Sequence, residues 1–204
     1  MTIAQNRPMT LEEYLNYDGE LASYRCELWN GVIVEMGAES DINVLIGTFL
    51  IVAIAQIIPY QLIRRGTEVE VEGELANTRV PDLLILTEEG VAALSRQKRS
   101  LVRLDMPAPA LAIEIVSSSK TDRQSYERDY VDKRQEYAQR GIPEYWIVDA
   151  MAKPLHGRIA NKVTVLTLDN RAYLEQTFTG KTLITSAALP SLSLSATQIL
   201  TAQM

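Results

Sequence analysis

Three residues in the middle of the chain have the right types to act together. Glu114 stands in LAIEIV, a run otherwise apolar on both faces. An ionised carboxylate there is costly unless something positive pairs with it. Asp82 opens a second apolar run, VPDLLIL, and Lys133 lies in the charged segment that follows Glu114. Two carboxylates converging from neighbouring strands can hold a magnesium ion through oxygen ligands. A lysine beside them could orient or deprotonate an attacking water, or stabilise charge on a phosphate. This is equipment for metal-dependent phosphodiester hydrolysis. Acidic pairs are common in α/β proteins, so the case depends on the elements that aim these side chains.

Residues 110–116 read as a strand apolar on both sides, hence a central strand of a covered sheet. Residues 124–140 read as a helix. Its Tyr126, Tyr130 and Tyr137 fall within about 40° of one another at 3.6 residues per turn. Lys133 falls inside that stripe, while Glu127, Arg128 and Arg134 lie farther round. The competing interpretation is a lysine that snorkels to water along its aliphatic stem. Residues 80–86 form the second buried strand, opened by Pro81 as proline permits at a first strand position. Asp82 then sits at its mouth, where a plain turn or edge carboxylate is the alternative.

Composition narrows the chemistry. With 204 residues, 47% hydrophobic and 23% charged, the chain suits one domain with a substantial core. Residues 1–9 read as a flexible leader and 10–204 as that domain. A net charge of −6 argues against nonspecific coating of nucleic acid, yet leaves room for a local basic groove. Cys26 is the single cysteine and His156 the single histidine. No internal disulfide, cysteine-based zinc site or multi-histidine metal site follows from such a set, and a Ser-His-Asp triad is disfavoured. A metal would rest on carboxylates, which favours magnesium or manganese. One cysteine and no signal-like N-terminus fit a reducing cytoplasm.

Along the chain, Thr10 and Glu13 form a capping-box pattern for a short helix. Cys26–Trp29 and 32–36 flank Asn30-Gly31, a type I′ hairpin signal. Glu27 on the first of these strands reads, by itself, as an ordinary solvent-facing residue. Residues 41–58 read as a buried helix packed on the sheet. The run is shorter than a membrane span and carries Asn43, Thr48 and Gln56, so membrane insertion is the weakest reading. Residues 61–71 form a strand pair or one long bent strand, with Arg64-Arg65 either near a phosphate or on a solvated edge. Glu88–Leu94 is a short helix, followed by a basic loop with Arg96, Lys98, Arg99 and Arg103. Gly141 supplies a helix C′ cap, Glu144–Asp149 a further strand, and 162–168 with Ala172–Phe178 a second hairpin. Ser195 caps a final short helix.

The order VPDLLIL, LAIEIVSSSK, DYVDKRQEYAQRGIPEYWIVD resembles the Uma-type restriction endonucleases of the PD-(D/E)XK nuclease superfamily. The likeness extends from ELWNGVIVEM to LPSLSL, and KRQEYAQRGIPEYWIVD is its most specific part. The resemblance implies an α/β fold with a restriction-endonuclease-like core: a central mixed β-sheet flanked by helices, with N-terminal and C-terminal β-hairpins. It implies a magnesium- or manganese-dependent endonuclease acting on nucleic acid, DNA in particular, working without a membrane and paired as a homodimer. By this likeness Asp82 is the PD aspartate, Glu114 the acid of (D/E)XK, and Glu27 an additional acidic position that can complete the metal site.

The departures are specific. The superfamily lysine stands two residues after the acid, where this chain has Val116. The resemblance implies a lysine supplied from the following helix, at Lys133; Lys120 is the rival, in a Ser-rich loop. Asn43 occupies a position where relatives often carry histidine, and asparagine cannot serve as an acid or base. Both departures support the alternative of a catalytically weak or inactive nuclease-fold binding or assembly module.

Overall fold

The computed structural model describes residues 7–19, 25–116, 128–150 and 161–203. At the N-terminal end, the capping box of Thr10 and Glu13 starts α1, Leu11–Leu15. Strands β1, Cys26–Trp29, and β2, Val32–Glu35, pair antiparallel. They turn through Asn30 and Gly31 at φ 47° and 71°, the left-handed pair that a type I′ turn requires. Tyr14, Cys26, Leu28 and Ile33 close a small core between the helix and this hairpin.

Helix α2 spans Asp41–Ile54, four residues short of the expected end, because the chain tightens into turns before Pro59. It buries Ile46, Leu50 and Ile54 but leaves Val44, Leu45 and Val52 exposed, so it is covered on one side only. Among the described residues no helix is long and apolar enough to cross a membrane.

Residues 61–71 divide into two strands of different sheets. These are β3, Ile63–Arg64, and β4, Glu68–Val71, separated at Gly66, whose φ is +73°. Strand β5, Asn77–Arg79, and strand β7, Leu101–Val102, flank β4 in a three-stranded sheet. Helix α3, Glu88–Leu94, precedes β7 in the chain, as its pattern foretold.

The central sheet has six strands. They are β3; β6, Leu83–Ile85; β8, Leu111–Ile115; β9, Glu144–Asp149; β10, Lys162–Asp169; and β11, Ala172–Phe178. Their spatial order is β11-β10-β9-β8-β6-β3. Strands β8 and β9 run parallel and the other neighbours antiparallel, so the sheet is mixed and β8 is central. Strand β6 is shorter than the apolar run 80–86; Asp82 precedes it, behind a proline that lacks an amide to pair.

Helix α4, Lys133–Arg140, ends at Gly141 in the left-handed region, φ 78°. A π turn, Arg128–Asp132, enters it. The first residues of the expected 124–140 helix, Tyr126 among them, lie outside the described residues, as do Lys120 and His156. Helix α5, Ala196–Thr201, carries the Ser195 capping box.

Both faces of the sheet are covered. Ile46, Leu50 and Ile54 of α2 and Ile199 of α5 pack on Ile113, Ile115, Trp146 and Val148. Tyr137 and Ala138 of α4 pack on the other face, against Ala112, Tyr145 and Ile147. All five residues of β8 are buried. The alternation of β8 assigns Glu114 to the α4 face.

Candidate active site

Glu114 is 5% exposed and its carboxylate meets α4. Lys133 Nζ lies 2.9 Å from Glu114 Oε1, and the Tyr137 hydroxyl donates to that same oxygen at 3.0 Å. Lys133 is fully buried, so it does not snorkel to water. Positions 133 and 137 lie one turn apart on one helix face, which is why a single carboxylate can receive both.

Glu27 lies on the far side of the lysine. It is 2% exposed rather than solvent-facing, with Oε1 3.8 Å from Lys133 Nζ. The same oxygen accepts the Val80 amide at 3.1 Å. Its Oε2 lies 3.6 Å from Arg79 Nη1. Arg79 is fully buried and grips Glu136 of α4 with two hydrogen bonds of 2.7 and 2.6 Å, and its guanidinium lies 5.4 Å from the centroid of the Trp29 ring. Arg79 therefore ties the N-terminal hairpin to the helix that carries Lys133. Burial opposes its charge, but the Glu136 hydrogen bond and the Glu27 and Glu136 charges prevail and hold its pKa above the ordinary arginine value. Burial, then the Glu114 charge, pushes the Tyr137 hydroxyl well above the usual tyrosine range, so it remains a donor.

Asp82 reaches the same end of the sheet. The β6–β8 register pairs Leu83 with Ile113, and Asp82 comes one residue earlier. Its Oδ2 accepts the Ile115 amide at 2.7 Å, and its Oδ1 lies 3.4 Å from Arg25 Nη2. The carboxylate thus sits beside the residue that follows Glu114. Asn43 of α2 donates to the Ile115 carbonyl at 3.0 Å and accepts from Ser40 Oγ at 2.8 Å; it holds the strand end in place from the opposite side. Val116, where the resemblance leads one to expect a lysine, is half-buried and packs with the α4-side core.

The oxygen chemistry suits a hard cation. Magnesium is commonly held by one or two carboxylates together with waters and substrate phosphates, not by an all-protein cage. Asp82 and Glu114 bring carboxylate oxygens, the donor type such an ion takes, to one end of the sheet. Among the described residues no three His, Cys, Asp or Glu side chains are gathered as a cage, and Glu27 is linked to Glu114 through Lys133.

Arg79, Glu136 and Arg25 are the site residues that sequence patterns do not mark. Arg79 and Glu136 meet across 57 positions of chain, and no local periodicity reveals such a pairing. Arg79 lies in a three-residue strand whose residues are all buried, while Glu136 is one of four charged residues of α4 and nothing local sets it apart.

The family model described as Uma2, "putative restriction endonuclease", matches residues 11–197. Among solved structures, a crystal structure described as a "putative nuclease belonging to DUF820" from Anabaena variabilis superposes with a TM-score of 0.66. The match covers 95% of this chain and 98% of that one at 16% identity, a likeness that shows the fold. No curated protein matches the sequence.

Proposed function

The chain belongs to the Uma2 family of restriction-endonuclease-like proteins, and on that premise we propose that it is a metal-dependent endonuclease hydrolysing phosphodiester bonds of nucleic acid, DNA in particular. The observation that carries this reading is the fully buried Lys133 ammonium, 2.9 Å from the Glu114 carboxylate. It supports the transfer of the superfamily lysine from position 116 to the helix.

Asp82 and Glu114 would hold a magnesium or manganese ion, which when bound supplies Lewis-acid stabilisation of charge on the phosphoryl oxygens. Lys133 would orient the attacking water or the phosphate oxygen, with its ammonium aimed by Glu114 on one side and Glu27 on the other. Tyr137 fixes the Glu114 carboxylate, and Arg79 fixes α4 through Glu136. Glu27 enters as an additional acidic group whose first task is to steer Lys133. Pairing of two chains, so that two sites meet two strands, completes the proposal; the mass of the protein in solution tests it.

One observation favours the non-catalytic reading. Asp82 has Arg25, Glu27 has Arg79 and Glu114 has Lys133 as cationic neighbours, a charge-compensated arrangement that would also suit a purely structural core. The two readings separate on metal response. Carboxylates held together repel and gain stability from a divalent ion. Millimolar magnesium or manganese should raise the melting temperature and support cleavage of plasmid DNA, and Asp82→Asn should remove most of both effects. A folded wild-type protein that cleaves neither DNA nor RNA with either metal would give the non-catalytic module the lead.

A further inference from the structure

Beside Asp82, two arginines share one carboxylate. Arg25, just before β1, and Arg65, just after β3, both form ion pairs with Glu39, which immediately precedes the Ser40 cap of α2. The three side chains are 28%, 33% and 21% exposed, so they form a rim that solvent and a ligand can reach. Arg25 also touches the Val80 carbonyl and Asp82 Oδ1, each at 3.4 Å. Its buried Nε has no hydrogen-bond partner among the described residues.

The sequence pattern alone cannot separate Arg64 from Arg65; the structure does. Arg64 turns back onto the carbonyls of Gln61 and Ile63, while Arg65 lies across α2 at Gly47. A Cβ at Gly47 would stand 3.4 Å from Arg65 Nη1 and 3.6 Å from Ile115 Cδ1. A glycine inside a helix is less favourable than alanine. Its placement under Arg65 gives the guanidinium a close seat against the helix, next to the strand that carries Glu114.

With Glu39 and Asp82 as their acidic neighbours the two guanidinium groups are charge-balanced in the free protein, and displacement of Glu39 would leave one positive charge in surplus. Their planar forks match the two free oxygens of a phosphodiester as well as those of a carboxylate. Partly exposed ion pairs hold their partners weakly, so Glu39 is exchangeable. We propose that Arg25 and Arg65 form a clamp for a backbone phosphodiester of the nucleic acid, and that Glu39 occupies this clamp in the free protein and competes with the substrate. A phosphate in the place of Glu39 would be held by the arginine that touches Asp82, one side chain from the Asp82–Glu114 pair. The proposal rests on the nuclease reading of that pair.

The test is fluorescence anisotropy of a labelled DNA duplex in EDTA, which keeps the strands intact, with melting temperatures taken for every variant. Glu39→Gln should tighten binding by about threefold to tenfold, and Arg65→Gln should weaken it by about tenfold, the scale of one charge-assisted phosphate contact. Arg65→Lys, which keeps the charge and loses the fork, should fall between Arg65→Gln and wild type. In the double variant Glu39→Gln/Arg65→Gln the gain from Glu39→Gln should vanish. Glu89→Gln, on the exposed face of α3, controls for a change in net charge. The clamp is overturned if Glu39→Gln does not tighten binding, if Glu89→Gln tightens it equally, or if the gain survives without Arg65. The expected order without metal-dependent cleavage would keep the clamp and remove the nuclease reading. Cleavage with binding indifferent to Glu39 would remove the clamp alone, and absence of DNA binding by every variant would remove both.

Discussion

Strands β8 and β9 lie side by side and each buries a glutamate, Glu114 near the end of one and Glu144 at the start of the other. Their surroundings differ in kind. Glu144, 1% exposed, accepts from Trp146 Nε1 at 2.6 Å, Ser186 Oγ at 2.5 Å, and the amides of Ala187 and Ala188 at 2.7 and 3.1 Å. These donors are neutral, and two belong to the main chain. The carboxylate therefore pins the segment after β11 onto the sheet. Glu114 instead meets a lysine ammonium and a tyrosine hydroxyl, both carried by side chains of one helix. Fixed amides make a lock. A charged amine on a long flexible stem makes a partner that can be exchanged for another cation or aimed at a substrate. Buried carboxylates are thus not equivalent evidence of function; the chemistry of their donors separates the two cases.

The largest effect that would sharpen this contrast is Glu144→Ala. It leaves buried donors without their acceptor, at a cost of about 3–5 kcal/mol. Chemical denaturation should show that loss, with cleavage per folded molecule unchanged. A fall in specific activity with no loss of stability would reverse the assignment of the two glutamates.

Two tyrosine substitutions make the same comparison on a smaller scale. The Tyr137 hydroxyl donates to Glu114, while the Tyr173 hydroxyl donates to the Ile142 carbonyl at 2.7 Å, near the Glu144 end. Each Tyr→Phe change should cost about 1–2 kcal/mol for one buried hydrogen bond. Only Tyr137→Phe should also lower turnover. Equal kinetics in the two variants would mean that Tyr137 does no more than pack.

The smallest effect concerns pH. Burial raises the Tyr173 hydroxyl above its ordinary range. Its contribution to stability is fully present below the unfolded tyrosine value of about 10. It is lost as pH rises from there toward the higher folded value, at up to about 1.4 kcal/mol per pH unit. Denaturation curves between about pH 9 and 11 should fall more steeply for wild type than for Tyr173→Phe. Parallel curves would remove Tyr173 from the alkaline response.

Much of this architecture could be read from local signals. Asn30-Gly31, the Thr10 and Ser195 caps and the doubly apolar run around Glu114 each carry their own physical cause, and each became the expected element. Lys133 was legible because a helix places positions 130, 133 and 137 on one stripe. Two features were not. Residues 61–71 were split between sheets because Gly66 takes a left-handed turn, and nothing in the flanking residues says which sheet each half joins. From sequence Glu27 reads as a surface residue because alternation in a four-residue strand says little about what covers it. Its burial arises from Arg79, Lys133 and the Val80 amide, all distant in sequence.

The central claim is that Glu114 and Lys133 are kept together for chemistry and not for stability, and a double-mutant cycle tests it most directly. Removing either partner of a buried ion pair leaves the other charge uncompensated and costs about 3–5 kcal/mol, whereas removing both with similar volume is close to neutral. Glu114→Gln and Lys133→Met should therefore each lower stability, and the double variant should regain most of it. Magnesium-dependent cleavage should stay depressed by about 10²–10⁴-fold or more in all three, the scale of a lost proton-transfer group. Cleavage at the wild-type rate by the stable double variant would contradict the account.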